Sequence, residues 1–315
     1  MRATDPQTRC MRHDRFVLRC VVAAAFALVV SACSASSVPP PPPSGPHLYA
    51  AEPSANHVAG LSLPLTMTSM AAFNISGFNF NSGVAFDAAR NLYVSNTGGA
   101  SIAVFNPPYT VTSAPAFTVA GASSLLVAPE QIGFDASGDL WVADQTAKVL
   151  EFVPPFSASS APALTVSNSI TSAQGVAFDS AQNLYVADNN ATLDVFTPPY
   201  NASPTQTMNG LIFPLAVVTD AAHVYVADFG NKGVAVFNLP VASGVAPAFT
   251  MTNGLGNGPH GLTFDGSGNL YVSTNAGEIV LFMPPFSAAS TPVLTVSCFV
   301  SPSSNCLTRQ MAFGP

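Results

Sequence analysis

The sequence predicts an all-β protein: a six-bladed β-propeller of four-stranded blades, closed by pairing the C-terminal strand with the N-terminal blade. Two observations predict this fold. One unit recurs along the chain, and the aromatic residue of its second strand returns every 40 to 48 positions. Each unit also contains four short strands, and four strands in roughly 45 residues are typical of a propeller blade. The recurring aromatic residues are Tyr93, Trp141, Tyr185, Tyr225 and Tyr271.

The strands of each unit follow from its hydrophobic pattern. Residues 83–96 (GVAFDAARNLYVSN) give two apolar strands joined by a turn that begins at Asp87. A third apolar strand ends in Phe105 and is followed by the Pro-Pro-aromatic motif at 107–109, which ends the strand because proline cannot donate to a ladder. A short fourth strand completes the unit. The pattern predicts antiparallel hairpins, with the aromatic ring of the motif packed under its own blade.

The two ends of the chain supply one further blade between them. Residues 47–52 (HLYAAE) match the second strand of the unit without a first strand before them, and residues 310–315 (QMAFGP) match a first strand. Five complete units and these two halves therefore predict six blades. Pairing the two ends closes the ring and removes an open sheet edge.

The repeated pattern G-[VIL]-x-F-D-x-x-G-N-L-Y-V-[AS]-[DN], seen in residues 83–96, 175–188 and 261–274, resembles the NHL repeat and the related propellers of gluconolactonase type. The resemblance extends over residues 47–315. It implies the architecture and leaves the activity open, because this fold carries hydrolases, lyases and pure binding modules. The segment Gly-Pro-His-Gly at 258–261 is similar to one in streptogramin lyases, which implies elimination chemistry beside a divalent cation.

The N-terminal residues predict export and a lipid anchor. Residues 1–19 carry five arginines, and residues 21–30 form an apolar run about 15 Å long as a helix, too short for a bilayer core of roughly 30 Å. This arrangement is typical of a signal peptide. The next residues, Val30-Ser31-Ala32-Cys33, resemble the lipobox of bacterial lipoproteins, which implies lipidation of Cys33 and localisation at the cell envelope. The alternative is an ordinary signal peptide cleaved near Ala32.

Three segments result from this organisation. Residues 1–32 form the signal peptide with its lipobox, residues 33–46 a proline-rich linker, and residues 47–315 the propeller. Five consecutive prolines favour a stiff polyproline II spacer in the linker. Cys298 and Cys306 remain in the propeller, and an oxidising compartment predicts a disulfide between them, with a metal site as the alternative.

The charge of the exported part excludes two classes of partner. After Cys33 the chain has 4 basic and 14 acidic residues, a net charge of −10. Nucleic acid requires a basic footprint, and docking on anionic lipid requires a polybasic face. We therefore expect no nucleic-acid partner, and membrane contact through the lipid anchor only.

Acidic residues that recur in equivalent positions predict structural roles. One set begins the turn after the first strand, where the carboxylate binds backbone amides of its own turn. This set contains Asp87, Asp135, Asp179, Asp220 and Asp265. A second set ends the second strand, where it satisfies loop amides or, as an alternative, holds a divalent cation at the channel mouth. This set contains Glu52, Asp144, Asp188 and Asp228.

The position just before the first strand of each blade differs from blade to blade. By propeller topology this position faces the mouth of the central channel, and loops on a rigid ring commonly carry function. Its occupants are Ser82, Glu130, Gln174, Leu215, His260 and Arg309. We predict that a ligand site at the mouth contains Glu130, Gln174, His260 and Arg309.

These observations predict a monomeric, exported, lipid-anchored module that binds an unidentified protein or small ligand at the mouth, with no catalytic residue, metal or cofactor. The alternative is a metal-dependent lactonase or lyase. There, Glu130 and His260 act as acid and base with a divalent cation, and Arg309 holds an anionic group. A third interpretation, a structural surface protein, predicts self-association without a ligand.

Overall fold

Six antiparallel four-stranded sheets form a ring in the computed structural model, which describes residues 45–297, 299 and 307–315. Helical structure in these residues is confined to two 3₁₀ turns, Thr97–Gly99 and Ala122–Ser124. The predicted all-β, six-bladed propeller is confirmed. The described residues contain no helix with the length and hydropathy needed to cross a membrane. The predicted lipidation at Cys33 and the predicted disulfide between Cys298 and Cys306 lie outside the described residues.

The strands are numbered in chain order. Blade I contains β24 (Met311–Gly314), β1 (His47–Glu52), β2 (His57–Ser62) and β3 (Phe73–Ser76). Blade II contains β4 (Asn81–Phe86), β5 (Leu92–Asn96), β6 (Ser101–Phe105) and β7 (Phe117–Val119). Blade III contains β8 (Pro129–Phe134), β9 (Leu140–Asp144), β10 (Lys148–Phe152) and β11 (Leu164–Val166). Blade IV contains β12 (Ala173–Phe178), β13 (Leu184–Asp188), β14 (Thr192–Phe196) and β15 (Gln206–Met208). Blade V contains β16 (Pro214–Thr219), β17 (His223–Asp228), β18 (Gly233–Asn238) and β19 (Phe249–Met251). Blade VI contains β20 (Pro259–Phe264), β21 (Leu270–Thr274), β22 (Glu278–Phe282) and β23 (Leu294–Ser297).

The two ends of the chain close the ring as predicted. β24 pairs antiparallel with β1, in a register that runs from His47 opposite Gly314 to Ala50 opposite Met311. The Tyr49 hydroxyl adds a hydrogen bond of 2.8 Å to the carbonyl oxygen of Pro315. The first and last strands thus protect each other's edges.

The innermost strands β4, β8, β12, β16, β20 and β24 contact one another in turn around the central channel. We call the face where these strands begin the mouth face, and the face where they end the opposite face. Gly45 and Pro315 line a cleft on the opposite face together with Asp87 and Arg90 of the first turn of blade II. The described chain therefore enters the propeller on the side away from the mouth.

Aromatic residues fill the boundaries between blades on the opposite face. The rings of Tyr49 in blade I and of Phe86 and Tyr109 in blade II form one group, with centroids 4.9 to 6.0 Å apart. Equivalent groups are Tyr93–Phe134–Phe156, Trp141–Phe178–Tyr200 and Tyr225–Phe264–Phe286. The expectation that each Pro-Pro-aromatic ring packs under its own blade is therefore only partly correct, because the ring also packs against the preceding blade.

The aspartates that begin the first turn of each blade have the predicted structural role. Asp135 accepts hydrogen bonds from the backbone amides of Ser137 and Asp139 at 2.9 and 3.0 Å, and from Trp141 Nε1 at 3.0 Å. Each such carboxylate thus fixes a turn and also orients the buried aromatic residue of the next strand. Tyr93, Tyr185, Tyr225 and Tyr271 bind their aspartates in the same way.

Candidate binding site at the mouth of the propeller

A local irregularity recurs where the innermost strands begin. In blades II to VI the register between the first and second strands shifts at this point, as between Pro129 and Ile132 in blade III. Such bulges re-aim side chains and are common next to functional sites. Five of the mouth residues predicted from the sequence, Ser82, Glu130, Gln174, Leu215 and His260, belong to these shifted segments and are part of the innermost strands. Arg309 lies two residues before β24.

The predicted residues come together around one small cavity at the mouth, of about 20 Å³. All six sequence-predicted positions line it, namely Ser82, Glu130, Gln174, Leu215, His260 and Arg309. Gln131, Ala216 and Gln310 complete the lining. We call this set the mouth cluster. Sequence reasoning identified the six positions but missed both glutamines.

A buried ion pair lies at the centre of the mouth cluster. Arg309 Nη1 donates to Glu130 Oε2 at 2.7 Å and to Ser82 Oγ at 2.9 Å, while the Ser82 hydroxyl donates to the same carboxylate. Gln145 Nε2 donates to the other carboxylate oxygen at 2.6 Å. Glu130 is only 3% exposed. Burial raises the pKa of Glu130 above its ordinary value, and the Arg309 charge and the hydrogen bonds offset this rise only in part.

Arg309 keeps donor capacity beyond this pair. Its Nε atom is buried and has no hydrogen-bond partner among the described residues. Its guanidinium carbon lies 4.8 Å from the ring centroid of Phe80, a cation–π distance. The aromatic ring thus holds the guanidinium at the mouth while Nη1 binds Glu130.

His260 occupies an apolar setting in the mouth cluster. Its ring lies 5.2 Å from that of Phe229, centroid to centroid. Burial and the nearby charge of Arg309 lower the pKa of His260 to about 4, against the effect of a hydrogen bond with the Asn275 side chain. The imidazole is therefore neutral at neutral pH. Among the hydrogen bonds of the described residues, none joins His260 to Glu130.

The other two sequence-predicted residues, Gln174 and Leu215, are uncharged. Gln174 is 6% exposed, and its Nε2 donates to Ser172 Oγ at 3.0 Å. Leu215 is 9% exposed and contributes an apolar wall. The cluster is thus polar at its centre and apolar along the side of blade V.

Two glutamine side chains of the mouth cluster, Gln131 and Gln310, bridge the inner strands across the central channel. Gln131 reaches blade V, where Nε2 donates to the Val217 carbonyl at 3.0 Å and Oε1 accepts from the Val217 amide at 3.1 Å. Gln310 Oε1 accepts from the amides of Val84 and Ile132, both at 3.1 Å, and its Nε2 donates to the Ile132 carbonyl at 2.8 Å. We call these two bridging side chains the floor of the mouth.

Glycine is required where the strands approach this floor. A Cβ atom on Gly175 would lie 2.5 Å from Gln131 Oε1 and 2.9 Å from the Cα of Ala216. A side chain at position 175 therefore does not fit. The glycine lets the inner strands pack closely enough for the glutamine amides to bridge them.

Gln310→Ala is expected to lower the free energy of unfolding by about 1–3 kcal/mol, because it leaves buried backbone groups of Val84 and Ile132 without partners. Urea unfolding measures the change. Gln206→Ala is the matched control, since the Gln206 amide makes only exposed contacts, with Ser243. Equal effects of the two substitutions would show that Gln310 does not hold the floor together.

The acids that end the second strands bind loop amides, as the structural interpretation predicted. Asp144 accepts from the amides of Val127, Ala128 and Thr146 at 2.8 to 3.2 Å. Asp188 and Asp228 make equivalent bonds in their own blades. The carboxylates are fully buried and directed to the loops. Their hydrogen bonds account for these residues without a cation.

Glu52 occupies the same position in blade I and behaves differently. Its Oε1 accepts from the Thr308 hydroxyl at 2.5 Å, and Oε2 is buried without a partner among the described residues. Burial raises the pKa of Glu52 to about 8. Between about pH 4.5 and 8, Glu52 is therefore protonated in the folded chain and ionised in the unfolded chain.

Stability is expected to fall as the pH rises through this window. One proton retained only by the folded chain changes the free energy of unfolding by about 1.4 kcal/mol per pH unit. Glu52→Gln removes this titration. From pH 5 to pH 8 the free energy of unfolding of the variant is therefore expected to rise relative to that of the wild type. Outside that range the two free energies are expected to change in parallel with pH. Urea unfolding at each pH measures the difference. Parallel curves for the two proteins across the window would contradict a raised pKa.

An apolar rim flanks the mouth cluster at blades II, III and V. Phe80, Leu125, Val127, Ile212 and Phe213 are between 37 and 57% exposed on this face. Phe80 and Leu125 have φ values of 59° and 56°, in the left-handed region that bulky side chains rarely adopt. Strain of this kind is concentrated at functional sites. The loops therefore hold apolar side chains outward at a conformational cost.

The chain is therefore a six-bladed β-propeller in which two glutamine side chains bridge the central channel and a polar cluster lies on one face. No family model matches the sequence, and no curated protein matches it. The chain is similar to one in the crystal structure of a nidogen/laminin complex, with a TM-score of 0.65, 17% identity, and coverage of 86% of this chain and 99% of that chain.

Two further solved structures are similar. A protein of unknown function from Bacteroides caccae has a TM-score of 0.61 and 13% identity, over 86% of this chain and 99% of that chain. The WD40 β-propeller domain of Doa1 has a TM-score of 0.57 and 10% identity, over 79% and 78%. At these identities the similarities establish the propeller fold alone.

Proposed function

We propose that the protein is an exported, lipid-anchored binding module that holds a partner at its mouth face without performing chemistry. The observation that carries the proposal is the convergence of the mouth cluster. Six equivalent positions hold six different side chains, and these meet around one cavity. The turn aspartates, which support the fold, recur at their equivalent positions, whereas the mouth positions differ in every blade, and this difference supports a role in recognition.

The surroundings of the cluster support binding at the surface. The floor made by Gln131 and Gln310 confines a ligand to the mouth, and the cavity of about 20 Å³ is too small for more than a single side-chain group. The exposed rim offers apolar contact area around it. One similar chain comes from a crystal structure of a nidogen/laminin complex, so a propeller of this fold occurs in a protein complex.

The metal-dependent lactonase or lyase is the weaker interpretation. Both carboxylate oxygens of Glu130 already accept hydrogen bonds, and a divalent cation beside them would be repelled by Arg309. His260, with its lowered pKa, is a weak base at neutral pH. These donors do not form a convergent acid–base or metal site.

Site-specific photo-crosslinking tests the proposal in the source cells with the full-length chain. A photoreactive amino acid replaces Ile212 on the mouth face or Met283 on the opposite face, which are 57 and 56% exposed. A discrete adduct from position 212 and none from 283 is expected. Adducts from 283 alone, or from neither position, would contradict binding at the mouth.

The anchor is tested separately. Cys33→Ser is expected to abolish incorporation of a labelled fatty acid and to move the protein from the membrane fraction to the soluble fraction. Because the substitution lies outside the propeller, the thermal midpoint of unfolding is expected to stay unchanged. Persistence of the label in the variant would contradict lipidation at Cys33.

A further inference from the structure

A serine and a histidine face each other in blade I, on the opposite face of the propeller. His47 at the start of β1 is paired with Ser62 at the end of β2, and the Ser62 Oγ atom lies 3.3 Å from His47 Nε2. Ser62 is exposed, whereas His47 is only 2% exposed. A hydroxyl that solvent can reach therefore has a buried imidazole nitrogen as its hydrogen-bond partner.

The second nitrogen of the imidazole fixes its protonation. His47 Nδ1 lies 3.3 Å from the carbonyl oxygen of Pro315. A carbonyl oxygen only accepts hydrogen bonds, so in the neutral ring Nδ1 carries the proton and Nε2 keeps its lone pair. The hydrogen between Ser62 and His47 therefore comes from the hydroxyl. The three groups have the order of a nucleophile, a base and an acceptor that orients the base.

The fold accounts for only one of these two hydrogen bonds. In blade II, the turn aspartate Asp87 accepts from the side-chain amide of Asn91 at 2.8 Å. In blade I, His47 occupies the position of that asparagine, and the Pro315 carbonyl replaces the carboxylate. The bond to Pro315 thus belongs to the architecture of the blade. Ser62 is not needed for it, because an exposed hydroxyl can bind water.

The pair is also a departure from the repeat. The residues equivalent to His47 are Asn91, Asp139, Asn183, His223 and Asn269. The residues equivalent to Ser62 are Asn106, Val153, Thr197, Asn238 and Met283. Blade I is therefore the blade in which a histidine faces a hydroxyl group, since the histidine of blade V faces an asparagine.

An apolar pocket of about 320 Å³ opens beside the histidine, between blades I and II. His47 forms part of its lining, together with the rings of Phe73 and Tyr109 and with Pro107-Pro108. The hydroxyl groups of the tyrosines that line it are bound to backbone carbonyls. The pocket therefore presents aromatic and proline rings, and its volume is at the lower end of the range for small-molecule sites.

We infer that Ser62 is a nucleophile, with His47 as its base, for carboxylic esters whose apolar acyl group occupies this pocket. The inference goes beyond the proposed function, because it concerns the opposite face and binding at the mouth does not depend on it.

The reaction balances with water as the second reactant. The Ser62 oxygen forms a bond to the ester carbonyl carbon, its proton passes to His47 Nε2, and the π electron pair of the carbonyl moves onto the carbonyl oxygen. When this pair returns, the bond to the alcohol oxygen breaks, and the alcohol leaves with the proton from Nε2. Water then attacks the acyl-serine by the same route, which releases the carboxylic acid and restores the hydroxyl.

The exposure of Ser62 sets the class of ester. Because the serine is exposed, water surrounds the negative oxygen of the intermediate, which is a weaker stabiliser than preorganised donors in a closed site. We therefore expect hydrolysis of activated esters, whose leaving groups are stable anions, and no cleavage of amides.

Hydrolysis of p-nitrophenyl esters by the full-length protein in detergent tests the inference. The kcat/KM for the butyrate is expected to be about tenfold higher than for the acetate, because the pocket buries two further methylene groups. Ser62→Ala is expected to lower kcat/KM at least about a hundredfold. A fluorophosphonate probe is expected to label Ser62, as located by peptide mapping.

Two further variants separate catalysis from folding. His47→Asn places in blade I the residue that three other blades have at this position, so the fold is expected to persist, as urea unfolding will check. Its kcat/KM is expected to fall at least about a hundredfold. Ser180→Ala is the matched control, because Ser180 is an exposed serine in the first turn of blade IV and has no histidine partner among the described residues. It is expected to leave the rate unchanged.

Each part of the inference has its own contrary result. Hydrolysis that persists in Ser62→Ala, a probe attached to another residue, or no hydrolysis by the wild type would overturn the nucleophile. Full activity of folded His47→Asn would overturn the base, and equal rates for the two esters would overturn the acyl pocket. None of these results bears on binding at the mouth, which the crosslinking from position 212 tests separately.

Discussion

Arg309→Met is expected to lower the free energy of unfolding by about 3–5 kcal/mol, because it leaves the buried carboxylate of Glu130 without its cation. Methionine retains most of the apolar volume of the arginine stem, so lost packing is a minor part of the effect. Urea unfolding followed by the fluorescence of Trp141, the single tryptophan of the chain, measures the change.

The second substitution distinguishes a charge effect from a packing effect. Adding Glu130→Gln to Arg309→Met is expected to recover most of the lost stability, because the amide carries no charge. Its oxygen can accept from Gln145, and its nitrogen can donate to the Ser82 hydroxyl, which in the wild type donates to the carboxylate. No recovery in the double variant would mean that the arginine acts through packing alone.

The pH dependence of the single variant carries the same information. Without the arginine, burial raises the pKa of Glu130 further, because the opposing charge is gone. The folded chain then retains a proton that the unfolded chain loses, so stability falls as the pH rises. The deficit relative to the wild type is expected to be smaller at pH 5 than at pH 8.

The blades were predictable because they depend on short-range patterns. Alternating apolar residues, turn aspartates and the Pro-Pro motifs recur within each unit, and the missing first strand before His47 required its complement at the C-terminus. The mouth cluster followed from the same repetition. Comparing equivalent positions showed which of them differ, and propeller topology brings those positions together.

The floor and the rim were not predictable, because their contacts connect distant parts of the chain. Gln131 binds the backbone of Val217, 86 positions away, and backbone partners leave no complementary residue in the sequence. Phe80 lies in a loop that does not repeat, and its left-handed backbone has no glycine to indicate it. The shifted register at each bulge is likewise a property of paired strands.

Blade V shows where repetition weakens. Thr219 stands where other blades have phenylalanine, and Leu239-Pro240-Val241 replaces the Pro-Pro-aromatic motif. Tyr185 at the preceding boundary therefore packs against Leu239 and Val241 instead of two rings. Aliphatic side chains fill the same space, so the fold tolerates the loss of the aromatic pattern at this boundary.

Trp141→Ala is expected to lower the free energy of unfolding by about 3–5 kcal/mol, because it empties the boundary between blades III and IV. The side chain is fully buried, with ring centroids 5.2 Å from Phe178 and 5.1 Å from Tyr200. Its Nε1 also donates to Asp135 at 3.0 Å. Because the fluorescent residue is removed, circular dichroism during urea unfolding provides the measurement.

Trp141→Phe separates the two contributions. Phenylalanine keeps the aromatic packing but leaves Asp135 without one donor, so the expected loss is about 1–2 kcal/mol. Trp141→Tyr places a hydroxyl where Tyr185 binds Asp179 in the next blade, and it is expected to be milder than phenylalanine. If alanine cost no more than phenylalanine, packing at this boundary would contribute little. The blades would then be held together mainly by the glutamine bridges and the closing strand pair, and Gln310→Ala would become the more damaging change.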